Sequence, residues 1–136
     1  MMHKLAAYSF LTTLLFLGTV AADTIEIAKP ELLLRETVEG MPSSKTQEVR
    51  VLTATIKPGS KTPFHTHRYP VTIYILEGAF TLEMEGKPAL TVKAGESMVE
   101  PPGTRMTGYN RGTEPMKVVI FYVSDPDTPF LDPVSQ

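Results

Sequence analysis

The sequence predicts an all-β domain whose strands close into a barrel or sandwich. Turn-forming residues are dense, with 12 prolines and 9 glycines in 136 positions. They punctuate short runs rich in Val, Ile, Thr, Tyr and Phe, the side chains that fit a pleated, half-buried surface. These runs recur at near-regular spacing, as they do in closed barrels and sandwiches.

The first segment stands apart. Met1 to Lys4 carries a positive charge, Leu5 to Val20 is almost wholly apolar or small, and Val20, Ala21 and Ala22 offer a small-residue cleavage site before Asp23. Residues 1–22 therefore read as a secretory signal peptide, which predicts a periplasmic or secreted protein. The apolar run of 16 residues is shorter than the roughly 20 that a membrane-spanning helix needs, so no membrane association is expected after cleavage. Asp23 to Gln136 leaves 114 residues, which suits one domain with one core.

Within that domain, Pro30 to Glu39 contains Leu32, Leu33 and Leu34 without a 3.6-residue period and reads as an early strand, followed by a polar loop from Met41 to Thr46. Gln47 to Ile56 alternates. Val49, Val51, Thr53 and Thr55 fall on one face and Arg50, Leu52, Ala54 and Ile56 on the other, until Pro58 and Gly59 end the strand. Val71 to Glu77 is a largely apolar run broken by Gly78, and Phe80, Leu82 and Met84 then alternate with Thr81, Glu83 and Glu85 up to Gly86. Further strands are expected at Ala89 to Lys93, Ser97 to Glu100, Arg105 to Asn110 and Met116 to Val123. Turns at Gly95 and at Pro101 to Gly103 separate them, and a Pro/Asp-rich tail begins at Asp125.

Composition excludes several functions. The chain has no cysteine, so it holds together by core packing, a metal or self-association, and thiolates drop out as ligands or nucleophiles. The formal net charge of −2 becomes −3 without Lys4, and no basic cluster appears, which argues against nucleic acid as a partner. No Gly-rich phosphate loop is present. Glu83 and Glu85 share a polar hairpin face and read as solvated.

His65 and His67 are the only histidines beyond the leader. On a strand, residues i and i+2 project from one face, so both imidazoles can reach one point. Neutral imidazole suits Zn, Cu, Fe, Ni or Mn. The bland alternative is a pair of surface histidines.

These residues resemble the cupins, small double-stranded β-helix (jelly-roll) barrels with a central metal. The family's first motif is Gly, five residues, His-x-His, three or four residues, Glu, six residues, Gly, and Gly59, His65, His67 and Gly78 fall on it. Its second motif is Gly, five residues, Pro-x-Gly, two residues, His, three residues, Asn, and Gly95, Pro101, Gly103 and Asn110 fall on that. Val71 and Met106 stand where the motif glutamate and the second-motif histidine belong, and an aliphatic side chain cannot ligate. The resemblance thus implies a metal set built on His65 and His67, with Met106 as a candidate soft third ligand; a carboxylate must come from elsewhere, and Glu100 is the candidate for it and for catalytic acid–base work, the alternative being that Glu100 caps a turn at the barrel rim. Glu100 precedes the Pro101 turn at a strand end expected to face the barrel interior.

Three functions follow. One is a metal-dependent dioxygenase or isomerase acting through Fe, Mn, Zn or Ni on a small oxygen-bearing molecule. Another is a non-enzymatic binder of a small molecule or of copper. The third is a barrel that has lost its metal. Tyr69, Tyr74, Tyr109, Arg105 and Arg111 are candidates for the mouth, although strand aromatics are usually core and turn arginines usually solvated. Apolar residues on both faces of Ile25 to Glu39, in a chain without disulfides, predict a homodimer.

Overall fold

The computed structural model describes residues 25–135, so the expected signal peptide lies outside the described residues. By contacts the chain divides into Met1–Pro30 and Glu31–Gln136. The described part of the first unit, residues 25–30, runs without helix or strand and exposes Ile25 and Ile27.

The second unit holds nine strands and, among the described residues, no helix. In chain order they are β1 (Glu48–Ile56), β2 (His65–Thr66), β3 (Val71–Glu77), β4 (Ala79–Met84), β5 (Leu90–Lys93), β6 (Ser97–Glu100), β7 (Met106–Tyr109), β8 (Met116–Ser124) and β9 (Asp132–Pro133). Two antiparallel sheets result, one ordered β1-β8-β3-β6 and the other β5-β4-β7-β2-β9. Apart from the β4–β5 hairpin, successive strands switch sheets, which is the jelly-roll connection of a double-stranded β-helix.

Strand alternation sets the core. Ile73, Ile75, Met98, Met116 and Val118 of the first sheet meet Phe80, Leu82, Val92 and Met106 of the second, all at most 8% exposed. In β1 the face carrying Arg50, Leu52, Ala54 and Ile56 turns inward, while Val49 and Val51 remain 70% and 62% exposed.

Corners between sheets need glycine where the chain passes close to its neighbour. Gly78 joins β3 to β4 at φ 74°, and a Cβ there would stand 2.9 Å from the Met116 Cβ, so the position tolerates neither the backbone angle nor the bulk of a side chain.

One expected element is absent. Residues 30–39 join no sheet, and Leu32 and Leu33 are 74% and 55% exposed. The early strand expected there does not form, because a strand exists only through a ladder partner and this extended segment takes none. The tail errs the other way. Asp132–Pro133 adds β9 to the edge of the second sheet, pairing with His65 and Thr66.

Candidate metal centre

The site forms where the edge of one sheet faces the other. The two-residue strand β2 places His65 opposite Met106 on one side and Pro133 on the other. His67 lies just beyond, where its carbonyl accepts the Gly103 amide at 2.8 Å, so the turn after β6 holds the histidine loop in place. From the first sheet, β6 ends on Glu100, whose register partner on β3 is Val71. The carboxylate thus enters the interior from the strand beside the position where the motif glutamate is missing. Arg50, Tyr122, Val71 and Glu100 form one row across the four-stranded sheet.

His65, His67 and Glu100 are 4%, 1% and 5% exposed, which excludes the reading of two surface histidines. Their reactive atoms converge: His65 Nε2 lies 3.1 Å from His67 Nε2, and His67 Nε2 lies 3.2 Å from Glu100 Oε2. The other ring nitrogens have backbone partners, His65 Nδ1 at 2.7 Å from the Pro63 carbonyl and His67 Nδ1 at 2.6 Å from the Phe130 carbonyl. A carbonyl oxygen only accepts, so each Nδ1 carries a hydrogen, and in the neutral form of such a ring Nε2 turns a bare lone pair toward its neighbour. Burial, the largest influence, holds His65 below its ordinary pKa; the Pro63 bond and Glu100 oppose this, while His67 adds to it.

With neutral rings, three acceptors face one another in a buried interior, an unfavourable arrangement unless a proton or a metal ion joins them. Among the described residues no three His, Cys, Asp or Glu side chains are arranged so that together they could hold a metal ion as they stand; in this set two of the three pairs are close. Both links nonetheless match ligand spacing. Two donors bound at about 2.0–2.2 Å to one ion lie roughly 2.8–3.6 Å apart for angles between octahedral and tetrahedral.

Met106 is fully buried opposite His65, so the thioether belongs to the same interior face. Asn110, also on the second motif, is structural: its side-chain amide donates to the Ile56 and Glu114 carbonyls, and its oxygen accepts the Gly112 amide.

The mouth candidates do not gather at the histidine pair, although Tyr109 and Arg111 meet each other. The Tyr69 hydroxyl donates to Asp125 at 2.6 Å. Arg111 lies over the Tyr109 ring and pairs with Glu83, and Arg105 pairs with Glu85, all on exposed surface. Pro63 and Phe130 escaped sequence reasoning because they act through main-chain carbonyls, which any residue supplies. The Phe130 ring also packs 4.9 Å from His67 and 5.5 Å from Tyr122.

Residues 52–122 match the family model described as a cupin domain. No curated protein matches the chain by sequence. Among solved structures, an uncharacterized conserved protein with a double-stranded β-helix domain from Klebsiella pneumoniae is 20% identical over 76% of this chain and 92% of that one, with TM-score 0.56. An RmlC-like cupin family protein from Methanocaldococcus jannaschii is 18% identical over 71% and 93%, with TM-score 0.52. The DMSP lyase DddQ from Ruegeria pomeroyi is 18% identical over 74% of this chain, with TM-score 0.57. The chain spans about half the length of the DMSP lyase chains it matches, 59% of one and 46% of another. At such identities the likeness is one of fold.

Proposed function

This chain belongs to the cupin family, and on that premise we propose that His65, His67 and Glu100 hold one divalent transition-metal ion, Fe, Mn, Zn or Ni, in an exported enzyme of the dioxygenase or isomerase kind. The observation that carries the reading is the convergence of His65 Nε2, His67 Nε2 and Glu100 Oε2, all buried, at 3.1 and 3.2 Å, with both Nδ1 atoms already engaged by carbonyls. A proton bridges two such atoms; a metal ion satisfies all three. When bound, the ion supplies Lewis-acid polarisation of a ligand oxygen or, if redox-active, electron transfer.

The chain supplies the rest. The Pro63 and Phe130 carbonyls select the tautomer that presents Nε2, and the burial that depresses His65 keeps it unprotonated and ready to ligate. Glu100 contributes the negative charge, and its second carboxylate oxygen is the proton acceptor or donor nearest the ligand space. Metal analysis of the protein isolated from its native compartment tests this directly. One equivalent of Fe, Mn, Zn or Ni in wild type, lost on His65→Ala or His67→Ala, supports it, whereas no metal in wild type leaves a barrel without its ion.

A second reading rests on Met106, buried in register with His65: a non-enzymatic copper site of two imidazoles and a thioether, which would favour Cu(I). Calorimetric titration separates the two. Glu100→Ala weakens Fe, Mn or Zn in the first reading, and Met106→Leu weakens only Cu(I) in the second.

Two further parts belong to the proposal. Residues 1–22 act as a signal peptide for periplasmic or secreted delivery. The protein is a homodimer joined through the outer face of the four-stranded sheet, where Val49, Val51 and Phe121 are 70%, 62% and 44% exposed, an apolar surface of the kind that marks interfaces.

A further inference from the structure

Beside His65 and Glu100 lies a cavity of about 100 Å³, lined by Ala54, Ile56 and Ile73 of the first sheet, Phe80 of the second and Phe130 and Leu131 of the tail, among others. Its size is restrictive, since ligand pockets for drug-sized molecules run to about 300–1,000 Å³. An enclosed apolar cavity of about 150 Å³ takes benzene, so the part of a ligand held inside this half-open one scales to about four non-hydrogen atoms.

The wall chemistry is as selective as the size. Among the described residues, Glu100 and His65 are the only titratable side chains lining it, and no lysine or arginine is in the lining. The one hydroxyl on the wall, Thr62, is already engaged: it donates to the Pro63 carbonyl at 3.2 Å and accepts the Gly108 amide at 2.9 Å. Without a metal an anion would enter with no cationic side chain to meet it, and a strongly polar ligand would find partners only at the His65 and Glu100 end, both at a large desolvation cost. The Phe80 wall is fixed from behind. A Cβ on Gly108 would stand 1.9 Å from the Phe80 Cζ, so Gly108 is the seat that keeps the ring back from the cavity.

We infer that the site selects a small, weakly polar, non-anionic molecule of about four non-hydrogen atoms, held in an apolar cavity whose only reactive groups among the described residues are at the His65 and Glu100 end. This names a ligand class for the proposed metal centre and rests on that reading only for the chemistry at that end. The cavity itself requires no metal. Without a metal, a phosphorylated or sugar-like substrate has no room there and a carboxylate has no cationic partner.

Acetone and acetate, nearly equal in size and differing in charge, are suitable probes. The full chain in metal-free form, with methyl groups labelled, is titrated with each and followed by NMR, with pressurised xenon as an apolar probe. The expected result is saturable shifts at the methyls of Ile56, Ile73, Val118 and Ile120 with xenon and acetone, and at least tenfold weaker response to acetate. Benzene is excluded by wild type and admitted by Ile56→Ala, and Ala54→Leu, which fills the cavity from the β1 side, abolishes the xenon shifts while the remaining spectrum stays folded. Equal affinity for acetate and acetone, benzene uptake by wild type, or no xenon response at these methyls would each overturn the inference. Metal analysis of the same preparations stands apart: cavity probes that bind as expected in a protein that takes up no metal would refute the metal centre and leave this inference intact.

Discussion

Replacing Glu100 with alanine should remove most of the thermal stabilisation that metal confers. The set is assembled across the fold, with His65 in β2 of one sheet and Glu100 at the end of β6 in the other. An unfolded chain does not bring these groups together, so an ion that binds them stabilises only the native state. At a free metal concentration a hundredfold above Kd that stabilisation is about 2.7 kcal/mol. At about 4 °C per kcal/mol for a domain of this size, the Tm of wild type rises by about 10 °C. Losing a ligand weakens binding by about 100-fold or more, since even partners that only orient the ligands contribute 10–100-fold. At the same metal concentration the Glu100→Ala variant then retains about 0.4 kcal/mol, a rise of about 2 °C. Differential scanning calorimetry with Mn(II) or Zn(II), each protein measured against its own metal-free baseline, reads both values. An equal rise in wild type and variant would show that the ion binds elsewhere, and stoichiometric metal in wild type with no rise at all would refute the coupling of the site to the fold.

Four other outcomes are expected. Metal-free wild type should lose stability as pH falls below about 6.5, the ordinary histidine value. Burial depresses the folded pKa of His65, so between that lowered value and 6.5 the unfolded chain binds the proton that the folded chain refuses; a ring-proton NMR titration of His65 with a midpoint at or above 6.5 would contradict it. Gly108→Ala should cost about 1–3 kcal/mol in urea unfolding through its collision with Phe80, and Phe80→Leu in the same chain should recover part of that loss. Val51→Asp should convert a dimer to a monomer in light scattering, and a monomer mass for wild type at micromolar concentration would remove the interface altogether. Mass measurement after bacterial export should find a chain beginning at Asp23, whereas a full-length, membrane-bound product would contradict the signal peptide.

What could be read directly were features encoded over a few residues. The alternation of Gln47 to Ile56 belongs to one strand, and Gly78 marks a corner because a positive φ and a 2.9 Å approach to Met116 admit no side chain. The common direction of His65 and His67 likewise follows from the two-residue period of extended chain. What required the tertiary structure was register, since pairing joins residues that local sequence does not relate. Nothing near Glu100 states that it pairs with Val71 and so supplies a carboxylate beside the position the motif leaves aliphatic. Met106 meets His65 by the same kind of pairing. Pro30 to Glu39 has the composition of a strand but not the partner, and Asp132–Pro133 has the partner without the composition. The Phe130 carbonyl that orients His67 is invisible in sequence, because every peptide unit carries the same acceptor and only the fold decides which one arrives within 2.6 Å of a ring nitrogen.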